Sequence, residues 1–136
     1  LAVSVQSMSN NPQQLKGKKW MSLKYFKREE FDCQVTGTNN MEQEFLEKLD
    51  KLREACGFPM QVTSGYRHPT KHPIEMKKAV PGTHAQGIAA DIKITNAAHR
   101  YTIVANALNL GFTGVGIADT FVHVDTRGTT PVIWLY

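Results

Sequence analysis

Two cysteines in 136 residues, Cys33 and Cys56, are too few to staple a secreted disulfide scaffold. Neither belongs to the close Cys-x-x-Cys pair that a thiolate zinc site wants, so buried free thiols are the preferred reading, with a mutual pair as its alternative. No run approaches the ~20 apolar residues of a membrane-spanning helix, which argues against a membrane partner. The N-terminal segment lacks the apolar stretch of a secretory signal. Acidic residues are absent from positions 1–20, where Lys16, Lys18 and Lys19 carry most of the net charge of +4. The remainder holds 13 basic and 12 acidic side chains, so the charge reads as a solvated tail. A nucleic-acid binder concentrates basic residues on its folded surface, and this near-neutral remainder does not.

What is present is the composition of one soluble domain, 41% hydrophobic and 21% charged. Residues 1–20 read as a flexible extension rich in Ser, Asn, Gln and Lys, and residues 21–136 as a single folded domain that begins at Met21. A short helical turn is predicted at Lys27–Phe31. A first helix follows, capped by Asn40, with Phe45, Leu46, Leu49 and Leu52 at helical spacing and Gly57 and Pro59 ending it. A second helix is predicted from Ala97 to Leu110, capped by Asn96, with Tyr101, Val104, Ala105 and Leu108 as its apolar face and Gly111 after it. Strand patterns occupy Met60–Thr63, Ile88–Ile94, Thr113–Ile117, Phe121–Thr126 and Val132–Leu135. The predicted class is α+β, a small antiparallel sheet with helices packed on one face. The Gly- and Pro-rich stretch from Ser64 to Gly87 is long for a structureless loop, and such loops tend to be functional; a short helix near Ile74–Ala79 fits inside it.

Strand alternation supplies the first chemical argument. Ile88, Ala90, Ile92 and Ile94 share one face of their strand, so Asp91 projects from the other. Val122 and Val124 belong to the core in the same way, leaving Phe121, His123 and Asp125 opposite. His84 precedes Asp91 by seven residues in a loop flanked by Gly82 and Gly87. Two histidines and one carboxylate on a non-core surface suit catalytic zinc, which takes three protein ligands and keeps a fourth position for water. Other divalent metals accept the same donors, so zinc is favoured over them and not forced. Thr83 reads as a ligand-loop hydrogen-bond donor or a turn residue, and Trp134 as core or a cleft wall. His68, His72 and His99 read as solvated, although His72 is close enough in sequence to reach a cleft.

Ser64-Gly65-Tyr66-Arg67, then Gly82-Thr83-His84-Ala85-Gln86-Gly87-Ile88-Ala89-Ala90-Asp91, then Phe121-Val122-His123-Val124-Asp125-Thr126-Arg127 resemble the zinc D-Ala-D-Ala carboxypeptidase family of peptidoglycan metallopeptidases. The likeness runs from about Met21 to Trp134 and is greatest to small phage-encoded members. It implies a zinc peptidase domain with one zinc ion per chain held by His84, Asp91 and His123, and with Arg67 facing the developing oxyanion. It implies hydrolysis of peptidoglycan stem peptides or crosslinks by a monomer, confined to the host cytoplasm until release or carried on the virion. The pattern departs from the family where many members place an acid or histidine two or three residues before the last ligand. Here Phe121 and Thr120 stand, so the general base is assigned to Asp125, with Asp119 or an orienting role for Asp125 as alternatives. The missing upstream base also keeps open a non-catalytic zinc module that binds cell wall or serves a structural role.

Overall fold

The computed structural model describes residues 23–136. The expected extension, residues 1–20, and its boundary at Met21 lie outside the described residues. Two α-helices, α1 (Gln43–Cys56) and α2 (Ala97–Asn109), accompany five strands. These are β1 (Val62–Ser64), β2 (Ala89–Lys93), β3 (Gly114–Ile117), β4 (Phe121–Asp125) and β5 (Val132–Leu135). Short 3-10 turns lie at Arg28–Phe31 and Glu75–Lys77, close to both places where short helical segments are predicted.

The strands form one sheet in the order β1-β2-β4-β3-β5. The first four are antiparallel to their neighbours, as expected, but β5 runs parallel to β3. Parallel pairing needs a connection longer than a hairpin, and the chain between β3 and β5 supplies it by way of β4.

Helix α1 begins two residues later than an Asn40 cap predicts. Asn40 lies in the segment tied to the site loop: Glu42 donates its backbone N–H to Gly87 O at 2.9 Å and becomes the N-cap, without a side-chain cap bond. Gly57, at φ 78°, ends the helix in the left-handed conformation that suits glycine. Leu46, Leu49 and Leu52 are fully buried, each contributing roughly 1.5–3 kcal/mol relative to exposure. In α2, Asn96 caps as predicted, accepting the His99 N–H at 2.8 Å. Its buried face is Ile103 and Ala107, while Tyr101 and Leu108 are exposed. Apolar residues nearly encircle this helix, so spacing alone admits several faces, and packing against the sheet selects the one that carries Ile103. Ile92, Val115, Val122 and Val124 join both helices in one core cluster. Asp91, His123 and Asp125 alternate with these residues and therefore stand on the opposite face.

Among the described residues, no helix is long and apolar enough to cross a membrane. Both cysteines are free thiols, Cys33 buried and Cys56 half-buried.

Candidate metal centre and cleft

The central β2–β4 pairing puts Asp91 directly opposite His123. His123 Nδ1 lies 3.0 Å from Asp91 Oδ1. The loop before β2 turns at Gly87 (φ 78°), where a Cβ would collide with the Asn40 carbonyl, so only glycine fits both the conformation and the space. That turn folds His84 over the strand start, with Nε2 3.3 Å from the same Asp91 oxygen. The two imidazole rings are 5.1 Å apart and edge-on. All three side chains are buried, and one ligand atom from each falls within 4.8 Å of the others.

The hydrogen-bond network assigns where the ring protons sit. His84 Nδ1 is 2.7 Å from Gly65 O, a carbonyl that can only accept, so Nδ1 carries the proton and Nε2 faces Asp91. His123 Nε2 is 2.7 Å from Asp125 Oδ2, so it donates there and turns Nδ1 toward Asp91. With both rings neutral, two nitrogen lone pairs and a carboxylate oxygen converge on one point. Three acceptors with no proton between them call for a cation, and this donor set fits zinc. Without a metal, a proton on the rings can take a cation's place beside Asp91. Burial alone would raise the Asp91 carboxyl, but hydrogen bonds from His123 and His84 hold it well below the usual carboxylate range. Burial disfavours the His123 cation, yet hydrogen bonds to Asp125 and Asp91 and their charges raise its pKa above the usual value.

The cluster floors an open cleft of about 730 Å3. Arg67 lines one side, its Nε donating to Ser64 Oγ at 3.0 Å and its Nη2 lying 3.5 Å from Asp91 Oδ2. Thr83 also lines the cleft, and Trp134 forms a wall with its ring 5.1 Å from that of His123.

Asp125 stands differently. It is fully buried and absent from the cleft lining. Oδ1 accepts the Arg127 backbone N–H at 3.1 Å and its Nε at 3.0 Å; Oδ2 accepts His123 Nε2 and Arg127 Nη2, the latter at 2.6 Å. Burial raises its carboxyl, but the His123 and Arg127 hydrogen bonds win and keep it ionised far below the ordinary range. Asp119 lies in the turn before β4, beside a separate shallow concavity that Arg100 lines. Among the described residues lining the cleft, Asp91 is the only carboxylate.

Sequence reasoning missed two features here. Gly114 and Gly116 lie on the site face of β3, opposite Asp125 and His123. A Cβ at Gly116 would come within 2.7 Å of the Trp134 ring, and one at Gly114 would overlap the Asp125 carboxylate. The Gly-Val-Gly alternation was the available signal: two bare positions on one strand face mark a place where side chains from neighbouring strands lie across the backbone. The second is His99, expected in solvent, which is half-buried and stacks on Phe58 at 3.9 Å. His68 and His72 are half-buried rather than fully solvated, and neither lines the cleft.

A buried two-histidine, one-carboxylate cluster in a cleft that an arginine overlooks is the architecture of a metallohydrolase. The family model for Peptidase M15 matches residues 24–125, and the chain belongs to that family of zinc metallopeptidases. No curated protein sequence matches the chain closely enough to add a second comparison.

Proposed function

We propose that the chain is a zinc peptidase that hydrolyses amide bonds of peptidoglycan, either trimming D-Ala-D-Ala ends or cutting crosslinks, in phage lysis or cell-wall penetration. The observation that carries this reading is the convergence of His84 Nε2, His123 Nδ1 and an Asp91 oxygen at the floor of an open cleft, with their other protons committed elsewhere. Zinc bound by these three would polarise the scissile carbonyl and bring the pKa of a bound water to about 7.

The chain's own residues do the rest. Arg67, permanently charged, presents donors toward the cleft where an oxyanion would form. Asp125, clamped by Arg127, orients His123 and fixes its tautomer, which supports its orienting role over that of general base. Trp134 packs against the His123 ring and walls the cleft.

The cleft's lack of a second carboxylate among the described residues favours one alternative, a non-catalytic zinc module that binds cell wall. Incubating zinc-loaded protein with purified peptidoglycan separates the two. New amines and shortened or uncrosslinked muropeptides by mass spectrometry support the peptidase and identify the bond; sedimentation with the wall without any new amine supports the module.

A further inference from the structure

Glu75 lies inside the long loop between β1 and β2, in a position the metal cluster and Arg67 do not explain. Its side chain is fully buried, an expensive place for a carboxylate unless every oxygen is engaged. Oε1 accepts the Gly82 backbone N–H at 3.0 Å. Oε2 accepts Lys78 Nζ at 3.0 Å and lies 3.9 Å from Arg67 Nη1. Burial raises this carboxyl, but the Gly82 and Lys78 hydrogen bonds and the charges of Lys78 and Arg67 prevail and keep it ionised. Gly82 is required by the packing: a Cβ there would come 2.7 Å from Lys78 Nζ and 3.3 Å from Glu75 Oε1.

One buried carboxylate therefore touches both working parts of the loop. Through Gly82 it fixes the backbone two residues before His84. Its Oε2 also pairs at 3.9 Å with the Arg67 guanidinium, which Ser64 and Asp91 hold from other sides, while the Arg67 backbone N–H reaches His84 O at 3.4 Å. Asp91 is also the residue that would share its charge with a metal, which leaves Glu75, shared with Lys78, as the other carboxylate beside Arg67. We propose that Glu75 is a positioning residue that holds Arg67 in register with the His84 loop. This rests on the role given to Arg67 under Proposed function.

The test is a double-mutant cycle of Glu75→Gln and Arg67→Ala in the full chain, read by zinc content, muropeptide turnover and the 15N signal of the Arg67 side-chain Nε–H. Glu75→Gln keeps an acceptor for Gly82 and removes the charge. It should retain zinc, lower kcat about tenfold with KM within threefold, and convert the Arg67 signal from rigid to mobile while that of Arg127 stays rigid. Added to Arg67→Ala, it should lower kcat no further. A rigid Arg67 signal in Glu75→Gln, or losses that multiply across the cycle, overturns the proposal. Full turnover in Arg67→Ala removes the Arg67 role itself, and the Glu75 proposal with it. Should Glu75→Gln fail to fold, Glu75→Asp, which draws the charge back by one methylene, is read by the same criteria.

Discussion

Replacing Asp125 with asparagine separates orientation of a ligand from transfer of a proton. The asparagine has the right shape but only one acceptor oxygen, whereas four donors from His123 and Arg127 meet the carboxylate. The amide oxygen should turn to His123, which is buried, leaving its NH2 facing the Arg127 N–H groups. The Arg127 side chain is 27% exposed and can recover water, so the full penalty of an orphaned buried charge does not apply. The three Arg127 donors lose their acceptor but regain water in part, and the bond to His123 weakens, for a net cost of about 2–3 kcal/mol. For a domain of this size that lowers Tm by roughly 8–12 °C. An orienting partner of a metal ligand typically contributes ~10–100-fold to metal affinity. Asp125→Asn should therefore weaken zinc binding by that factor in competition with a chromophoric chelator, yet keep kcat within about tenfold once zinc saturates the site. Unchanged zinc affinity with kcat down by ~10²–10⁴ would refute this reasoning and make Asp125 the general base. Asp119→Asn, on the far side of the β4 turn, should leave both quantities unchanged.

His84→Ala and His123→Ala should each lose zinc and turnover together, measured by elemental analysis beside muropeptide hydrolysis; stoichiometric zinc in both would end the metal assignment. Gly116→Ala should displace the Trp134 ring from His123, shifting tryptophan fluorescence and lowering kcat/KM by about tenfold, for a clash that costs ~1–3 kcal/mol; an unshifted spectrum with full activity counts against the packing described. The Glu75 carboxyl is lowered in the folded protein, so its stabilisation is fully present above its ordinary value of 4.5 and is lost as pH falls below it. Lys78, Arg67 and His72 are the charged or titratable groups around it, and none of them reverses that sign. The Tm difference between wild type and Glu75→Gln should thus be larger at pH 7 than at pH 4, and an equal difference at both would show that the charge contributes nothing.

The meeting of Asp91 and His123 was legible because it depends on local alternation. Once Ile92 and Val122 must face the core, Asp91 and His123 have only one other face to occupy, and antiparallel pairing brings them together. His84 was legible from the turn that Gly87 forces before β2. Asp125 was placed on the site face with its role left between general base and orienting partner, because alternation says nothing of a residue two positions on that folds back at the strand end, as Arg127 does. The phase of α2 was ambiguous for a related reason: with Tyr101, Ile103, Val104 and Leu108 all apolar, only the sheet decides which are buried. Glu75 carried no signal at all. It sits among lysines in a loop with no period, and its burial follows from the closure of Gly82 over it.

The charges of the site explain why this layer is stable beside a hydrophobic core and still suited to anionic chemistry. They run in a continuous series across the sheet: Ser64 to Arg67, Arg67 to Asp91, Asp91 to His123, His123 to Asp125 and Asp125 to Arg127, each contact between 2.6 and 3.5 Å. Along it Arg67 opposes Asp91 and Arg127 opposes Asp125, and Glu75 with Lys78 adds one more opposed pair. With the imidazoles neutral, Arg67, Arg127 and Lys78 balance Glu75, Asp91 and Asp125, so no buried charge lacks a counter-charge. A divalent ion held by His84, Asp91 and His123 would add its charge to this balanced set. The positive surplus would then lie at the cleft floor, where the proposed hydrolysis needs anions stabilised. Removing one carboxylate from the series raises that surplus but leaves an arginine or imidazole unpartnered. The same residues that favour an anion in the cleft are thus required to keep the folded sheet intact, which is why Asp125→Asn should register first in stability and metal affinity and only then in turnover.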